Sequence, residues 1–137
     1  MSKYIINSTM RPSGYQVMNV AGDHQFMADE PVIAKGTDAG PNPVQYLIGA
    51  LNSCLAISAR AVANNRHLDL RNLKVTSTGE TVSLGKGRSK VSRIETTVSF
   101  DCDLTADEKQ KLFDRILQVC TVHESLEGGI EMEVKLG

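Results

Sequence analysis

The sequence contains no tryptophan, and Phe and Tyr together make up only 4% of it. That leaves too little aromatic surface for a platform on which bases or sugars stack. An excess of charge of either sign is also missing. The formal net charge is -1, with acidic and basic side chains interleaved, so there is no basic stripe for nucleic acid and no polybasic segment for anionic lipid. The opening residues MSKYIINSTMRPSGYQ lack a charged-then-apolar signal pattern, and no apolar run approaches the length needed to span a bilayer. The expectation is a cytoplasmic protein. Three cysteines without an export signal do not make a disulfide framework, so each is core filler, a metal ligand or a reactive thiol. There is no internal repeat and no low-complexity tract. A chain of 137 residues reads as a single domain, 1–137, large enough for a real core.

What the sequence does have is one long apolar stretch, GPNPVQYLIGALNSCLAISARAVANNR, from Gly40 to Arg66. Asn42 can cap a helix, and Pro43 suits the first helical position, where its missing N–H costs nothing. From Tyr46 to Ala63 apolar side chains cover most of the circumference, which predicts a core helix roughly 33 Å long. Cys54 lies in its middle.

Before this helix, Lys3–Asn7, Tyr15–Val20 and His24–Ala28 read as a three-stranded antiparallel meander, with a turn at Ala21-Gly22-Asp23. Asp29–Asn42, with its prolines and glycines, reads as an extended loop that brings Asp29, Glu30 and Asp38 close to the helix start. After the helix, Leu70–Leu84 and Ser89–Cys102 form a long hairpin about Gly85–Arg88, with Ile94, Val98, Phe100 and Cys102 on one face. Thr105-Ala106-Asp107-Glu108 is a capping box for a second helix that carries Leu112, Phe113, Ile116, Leu117 and Val119 and ends at Cys120. After a Gly128-Gly129 turn the last strand points Ile130, Met132, Val134 and Leu136 inward. This is an α+β pattern.

The chemistry lies with the thiols. Cys102 is in phase with Val98 and Phe100 and reads as core. Cys54, in an apolar helix, could be a small hydrophobe. Cys120, however, lies in QVCTVHES, read as a helix end followed by a polar turn with His123, Glu124 and Ser125. A thiol there, next to a histidine, is one whose nucleophilic thiolate form can be favoured.

The lead-in GTDAGPNPVQYLIGALNSC, then Arg60, the long hairpin and the late CTVHESLEGG before a terminal strand resemble the OsmC/Ohr family over nearly the whole chain. The resemblance implies a two-layer α+β fold, with antiparallel sheets around a long buried central helix, intertwined into a homodimer. It further implies a peroxidatic thiol at Cys54 and a resolving thiol at Cys120, which join as an intrasubunit disulfide after oxidation. The protein would then be a thiol-dependent peroxidase that reduces organic hydroperoxides, with no metal or flavin cofactor and an external dithiol or lipoyl-type reductant. One departure matters: the organic hydroperoxide resistance branch has a glutamate directly after the Asn-Pro, where this chain has Val44 and then Gln45. Arg11, Glu30 and His123 are the candidates for substrate-orienting groups, Arg11 and Glu30 as the arginine and carboxylate that complete such a site and His123 beside the resolving thiol.

Two other readings stay open. A metal site could use Cys54, Cys120 and His123, although no fourth Cys or His lies close in sequence. A diverged OsmC-like domain could keep the cavity for ligand binding or thiol redox chemistry without turnover. A homodimer is expected on physical grounds as well. An all-round apolar helix and the outward face of the long hairpin exceed what one chain of this length can cover.

Overall fold

In the computed structural model, which describes all residues from Met1 to Gly137, the chain divides into two compact units, Met1–Leu47 and Ile48–Gly137.

The first unit holds strands β1 (Asn7–Met10), β2 (Val17–Ala21) and β3 (His24–Ala28) in the expected antiparallel order β1-β2-β3. Strand β1 starts later than Lys3–Asn7, because its register is set by β2, with Asn7 opposite Val20 and Met10 opposite Val17. Residues 29–42 are not an extended loop. They turn through a short 3-10 helix, Val32–Ala34, and fold around the Asp29 carboxylate. Asp29 is 1% exposed. Its Oδ1 accepts from the N–H groups of Tyr15 (3.1 Å) and Glu30 (2.8 Å). Its Oδ2 accepts from the Thr37 N–H (3.0 Å), the Thr37 hydroxyl (2.5 Å) and the Ala39 N–H (3.1 Å). Burial alone would raise the Asp29 pKa. The Thr37 hydroxyl and the Ala39, Glu30 and Thr37 N–H groups outweigh it and hold the carboxyl well below the usual carboxylate range. The Gly-Thr-x-x-Gly spacing now has a physical cause. A Cβ on Gly36 would collide with the Glu30 carbonyl and one on Gly40 with the Met27 carbonyl, while Thr37 closes on Asp29.

Helix α1 (Pro43–Asn65) starts in the first unit and continues into the second. Asn42 and Gln45 cap it reciprocally: the Gln45 N–H donates to Asn42 Oδ1 (2.9 Å) and the Asn42 N–H to Gln45 Oε1 (2.8 Å). At 23 residues it is long and apolar enough to cross a membrane by length and composition alone. The expectation that no apolar run approaches that length therefore does not hold. In this structure Leu51, Leu55, Ala59, Val62 and Ala63 are instead buried in a protein core. The burial covers one stripe and not the whole circumference. Ala50, Ser53, Ile57 and Ala61 are exposed.

In the second unit, strands β4 (Arg71–Gly85) and β5 (Arg88–Asp101) form the predicted hairpin. Strand β6 (Glu131–Leu136) joins the other edge of β5 in parallel, so this sheet is mixed and not purely antiparallel. Ile94, Val98 and Phe100 of β5 share one core with the α1 stripe and with Leu112, Phe113 and Ile116 of helix α2 (Ala106–Val119). Thr96, also fully buried, is tied in by polar contacts: Ser77 Oγ lies 2.7 Å from its hydroxyl and 2.5 Å from Asn52 Oδ1 of α1. The Thr105–Glu108 capping box is formed in both directions. On the outer face of the sheet Arg93 pairs with Glu95, Glu131 and Glu133. Cys102 is partly buried against the core, as its phase predicted.

Candidate active site

The two thiols that the resemblance paired lie together in the second unit. Cys54 sits on α1 beside the buried stripe and is partly exposed, whereas Cys120 is fully buried at the junction of α2 with a third helix, α3 (Thr121–Leu126). The two thiols are near enough for each to shift the other's pKa, and both cysteines are free.

Helix α3 replaces the polar turn expected after Cys120. Six residues are too few to display a helical period, so pattern reading had nothing to detect. Its presence changes the electrostatics. The first N–H groups of a helix have no intrahelical acceptor, and Cys120 at the N-cap position supplies no side-chain cap. The N–H groups of Thr121 and Val122 are turned toward Cys54 instead.

These contacts give the two thiols opposite character. For Cys54, burial pushes the pKa up, but the Val122 N–H, the Cys120 thiol, the Ser58 hydroxyl and the Thr121 N–H together more than reverse that, and the net shift is downward. For Cys120, burial pushes the pKa up, the His123 and Val122 N–H groups pull it down, and the contact with Cys54 and its charge push it up again, to about 11. The thiolate is therefore favoured at Cys54, the thiol to which the resemblance gives the peroxidatic part, and not at Cys120, although Cys120 is the one next to a histidine in sequence. A thiolate on the more exposed sulfur and a proton on the buried one is the arrangement a nucleophile and its resolving partner need.

Ser58 went unnoticed in the sequence, although its position four residues after Cys54 puts it on the same face of α1. A groove of about 490 Å³ opens beside it, with Ile57, Ala61 and Val119 supplying apolar wall and Arg66 and Arg115 cationic groups. His123 is buried, not part of a solvated turn, and its Nδ1 has no hydrogen-bond partner. Arg11 and Glu30 belong to the first unit. Arg11 is exposed, and neither residue takes part in a salt bridge, so the expected arginine–carboxylate pair is not formed within this chain.

Residues 36–135 match the OsmC family, described as OsmC-like protein. No curated protein matches by sequence. Among solved structures, an OsmC-like protein from Mycoplasma pneumoniae superposes with a TM-score of 0.87 at 18% identity, covering 99% of this chain and 96% of that one. An organic hydroperoxide resistance protein OsmC from Legionella pneumophila, also described as a predicted redox protein, gives 0.77 at 17% identity, covering 100% and 98%. The organic hydroperoxide resistance protein OhrB of Bacillus subtilis gives 0.72 at 15% identity, covering 99% and 98%. These likenesses establish the fold.

Proposed function

This chain belongs to the OsmC-like protein family, and we propose on that premise that it is a thiol-dependent peroxidase that reduces organic hydroperoxides to alcohols. The observation that carries the reading is the nearness of a Cys54 thiol biased toward thiolate to a Cys120 thiol that keeps its proton. The names of the Legionella and Bacillus neighbours point to the same chemistry.

In the proposed reaction the Cys54 thiolate attacks the peroxide oxygen that is not bound to carbon. The O–O bond breaks, the alkoxide leaves and takes a proton to become the alcohol, and Cys54 becomes a sulfenic acid. The Cys120 sulfur then forms the S–S bond, and the Cys54 hydroxyl leaves with the Cys120 proton as water. That transfer lets a thiol with a pKa of about 11 act at neutral pH. An external dithiol, of which a lipoyl group is one kind, reduces the disulfide by exchange and is itself oxidised, which restores both thiols. The residues need no metal or flavin for these steps. The groove beside Ser58 offers an alkyl chain the apolar surface of Ile57, Ala61, Val62 and Val119, alongside the polar Asn65, Arg66 and Arg115.

The reading includes a homodimer in which Arg11 and Glu30 act as substrate-orienting groups. Two features support it. In the first unit only Ala28 and Asp29 are buried, while Ile5, Ile6, Met10, Val32 and Ile33 are exposed, which is little core for 47 residues. The outer face of α1 presents Ala50, Ser53, Ile57 and Ala61, small enough apart from Ile57 for another helix to approach closely.

The second reading, a ligand-binding or thiol-redox domain without peroxidase turnover, is favoured by Val44 in the family glutamate's place and by the unpaired Arg11. Loss of tert-butyl and cumene hydroperoxide, followed with pure protein and excess dithiol, separates the two. Catalytic loss that disappears in Cys54→Ser supports the peroxidase, and unchanged peroxide supports the binder.

A further inference from the structure

Beside the thiol pair lies one further cluster of ligand-type side chains. A ring nitrogen of His123 and one carboxylate oxygen each from Glu124 and Glu127 lie within 4.8 Å of one another. His123 is 8% exposed, and its Nδ1 meets no donor or acceptor of the protein. Neither glutamate is paired with a lysine or arginine. A buried imidazole with an unanswered nitrogen loses the hydrogen bonding it would have in water, and such groups ordinarily find a partner. Both glutamates are exposed, and each brings a carboxylate oxygen close to the imidazole. One cation would take the imidazole and both carboxylates as ligands.

We propose that His123, Glu124 and Glu127 form a binding site for a divalent transition cation of the zinc type. One imidazole and two carboxylates form a nitrogen–oxygen donor set that such ions accept, with water completing the shell. The set also has a built-in geometry. Glu127 follows His123 by four residues across the end of α3, where its N–H donates to the His123 carbonyl at 3.0 Å, so the backbone fixes the relation between the two ligands. None of its ligands is a thiol, although the His123 N–H also acts on Cys120.

The test is isothermal titration of the reduced full-length protein with Zn²⁺, together with the absorption spectrum of the Co²⁺-loaded protein. Wild type and a Cys54→Ser/Cys102→Ser/Cys120→Ser variant should each bind one equivalent, and the Co²⁺ spectrum of wild type should lack an intense thiolate-to-metal band. Glu124→Gln/Glu127→Gln should weaken binding by roughly 100-fold or more, since losing even an outer-sphere partner costs about 10- to 100-fold, with an unchanged far-UV circular dichroism spectrum. No binding to wild type, or undiminished binding to the double glutamine variant, overturns the site. So does loss of binding in a folded thiol-free variant. If that variant does not fold, a strong thiolate band in the Co²⁺ spectrum of wild type overturns the site by assigning the metal to the cysteines.

Discussion

Limited alkylation of the reduced protein at pH 7 should modify Cys54 long before Cys120. The size of the difference can be worked from the buried thiol. An ordinary cysteine with a pKa near 8.5 is thiolate to about 3% at pH 7, whereas one at about 11 is thiolate to about one part in ten thousand, roughly 300-fold less. A higher pKa makes the thiolate a better nucleophile. With a Brønsted coefficient of about 0.45 that returns roughly 13-fold, leaving Cys120 about twentyfold slower than an ordinary thiol before its burial is counted. Cys54 departs in the other direction and is partly exposed, so the ratio of the two rates should exceed twentyfold. Brief exposure to iodoacetamide, quenching, and mass spectrometry of the two peptides measures it directly. In Cys54→Ser the charge that raises the Cys120 pKa is gone, so Cys120 should react faster than in wild type while staying slow, because burial is the larger cause. Equal rates for the two thiols, or faster modification of Cys120, would refute the assignment of nucleophile and resolving partner.

Other outcomes follow from the same contacts. The two thiols should give thermal stability opposite slopes with pH. Cys54, lowered by folding, adds stability as pH rises from its folded pKa to the ordinary thiol value, whereas Cys120 loses stability from about pH 8.5 to about 11, where the unfolded chain binds fewer protons. Melting temperatures that keep rising across pH 8.5–11 would contradict the second half. Gly36→Ala should lower the melting temperature sharply, because the new Cβ meets the Glu30 carbonyl and the Thr37–Asp29 closure must open; an unchanged melt would show that the loop yields at no cost. Leu55→Ala removes a fully buried side chain beside the site and should cost about 2–5 kcal/mol in urea unfolding, whereas a loss well under 1 kcal/mol would mean that the core closes around the gap.

Much of the fold was legible because it is written in local chemistry. Asn42-Pro43 marks the start of α1, Thr105 and Glu108 the start of α2, and the alternation from Ile130 to Leu136 the last strand. Where the reading missed, the determinant was distant in sequence. Ile5 and Ile6 suggested a strand over 3–7, but pairing with β2 placed it at Asn7–Met10. Asp29 looked like one loop charge among three, because its five donors come from Tyr15, Glu30, Thr37 and Ala39 and meet only on folding. Cys54 and Cys120 and their parts could be named from the motif, but the physical cause that favours the thiolate at Cys54 includes N–H groups of a six-residue helix too short to announce itself. The groups expected to complete the site, Arg11 and Glu30, carry no local signature beyond their charge.

The central claim is that Cys54 attacks and Cys120 resolves. The most direct test is mass spectrometry of the reduced protein after one equivalent of cumene hydroperoxide, without added dithiol, in wild type and in Cys120→Ser. In wild type a peptide pair joined through Cys54 and Cys120 should form as the peroxide is consumed. In Cys120→Ser about one equivalent should be consumed, with Cys54 trapped as the sulfenic acid or carried on to higher oxides. Peroxide turnover with the Cys54 and Cys120 peptides unlinked in wild type would contradict the account.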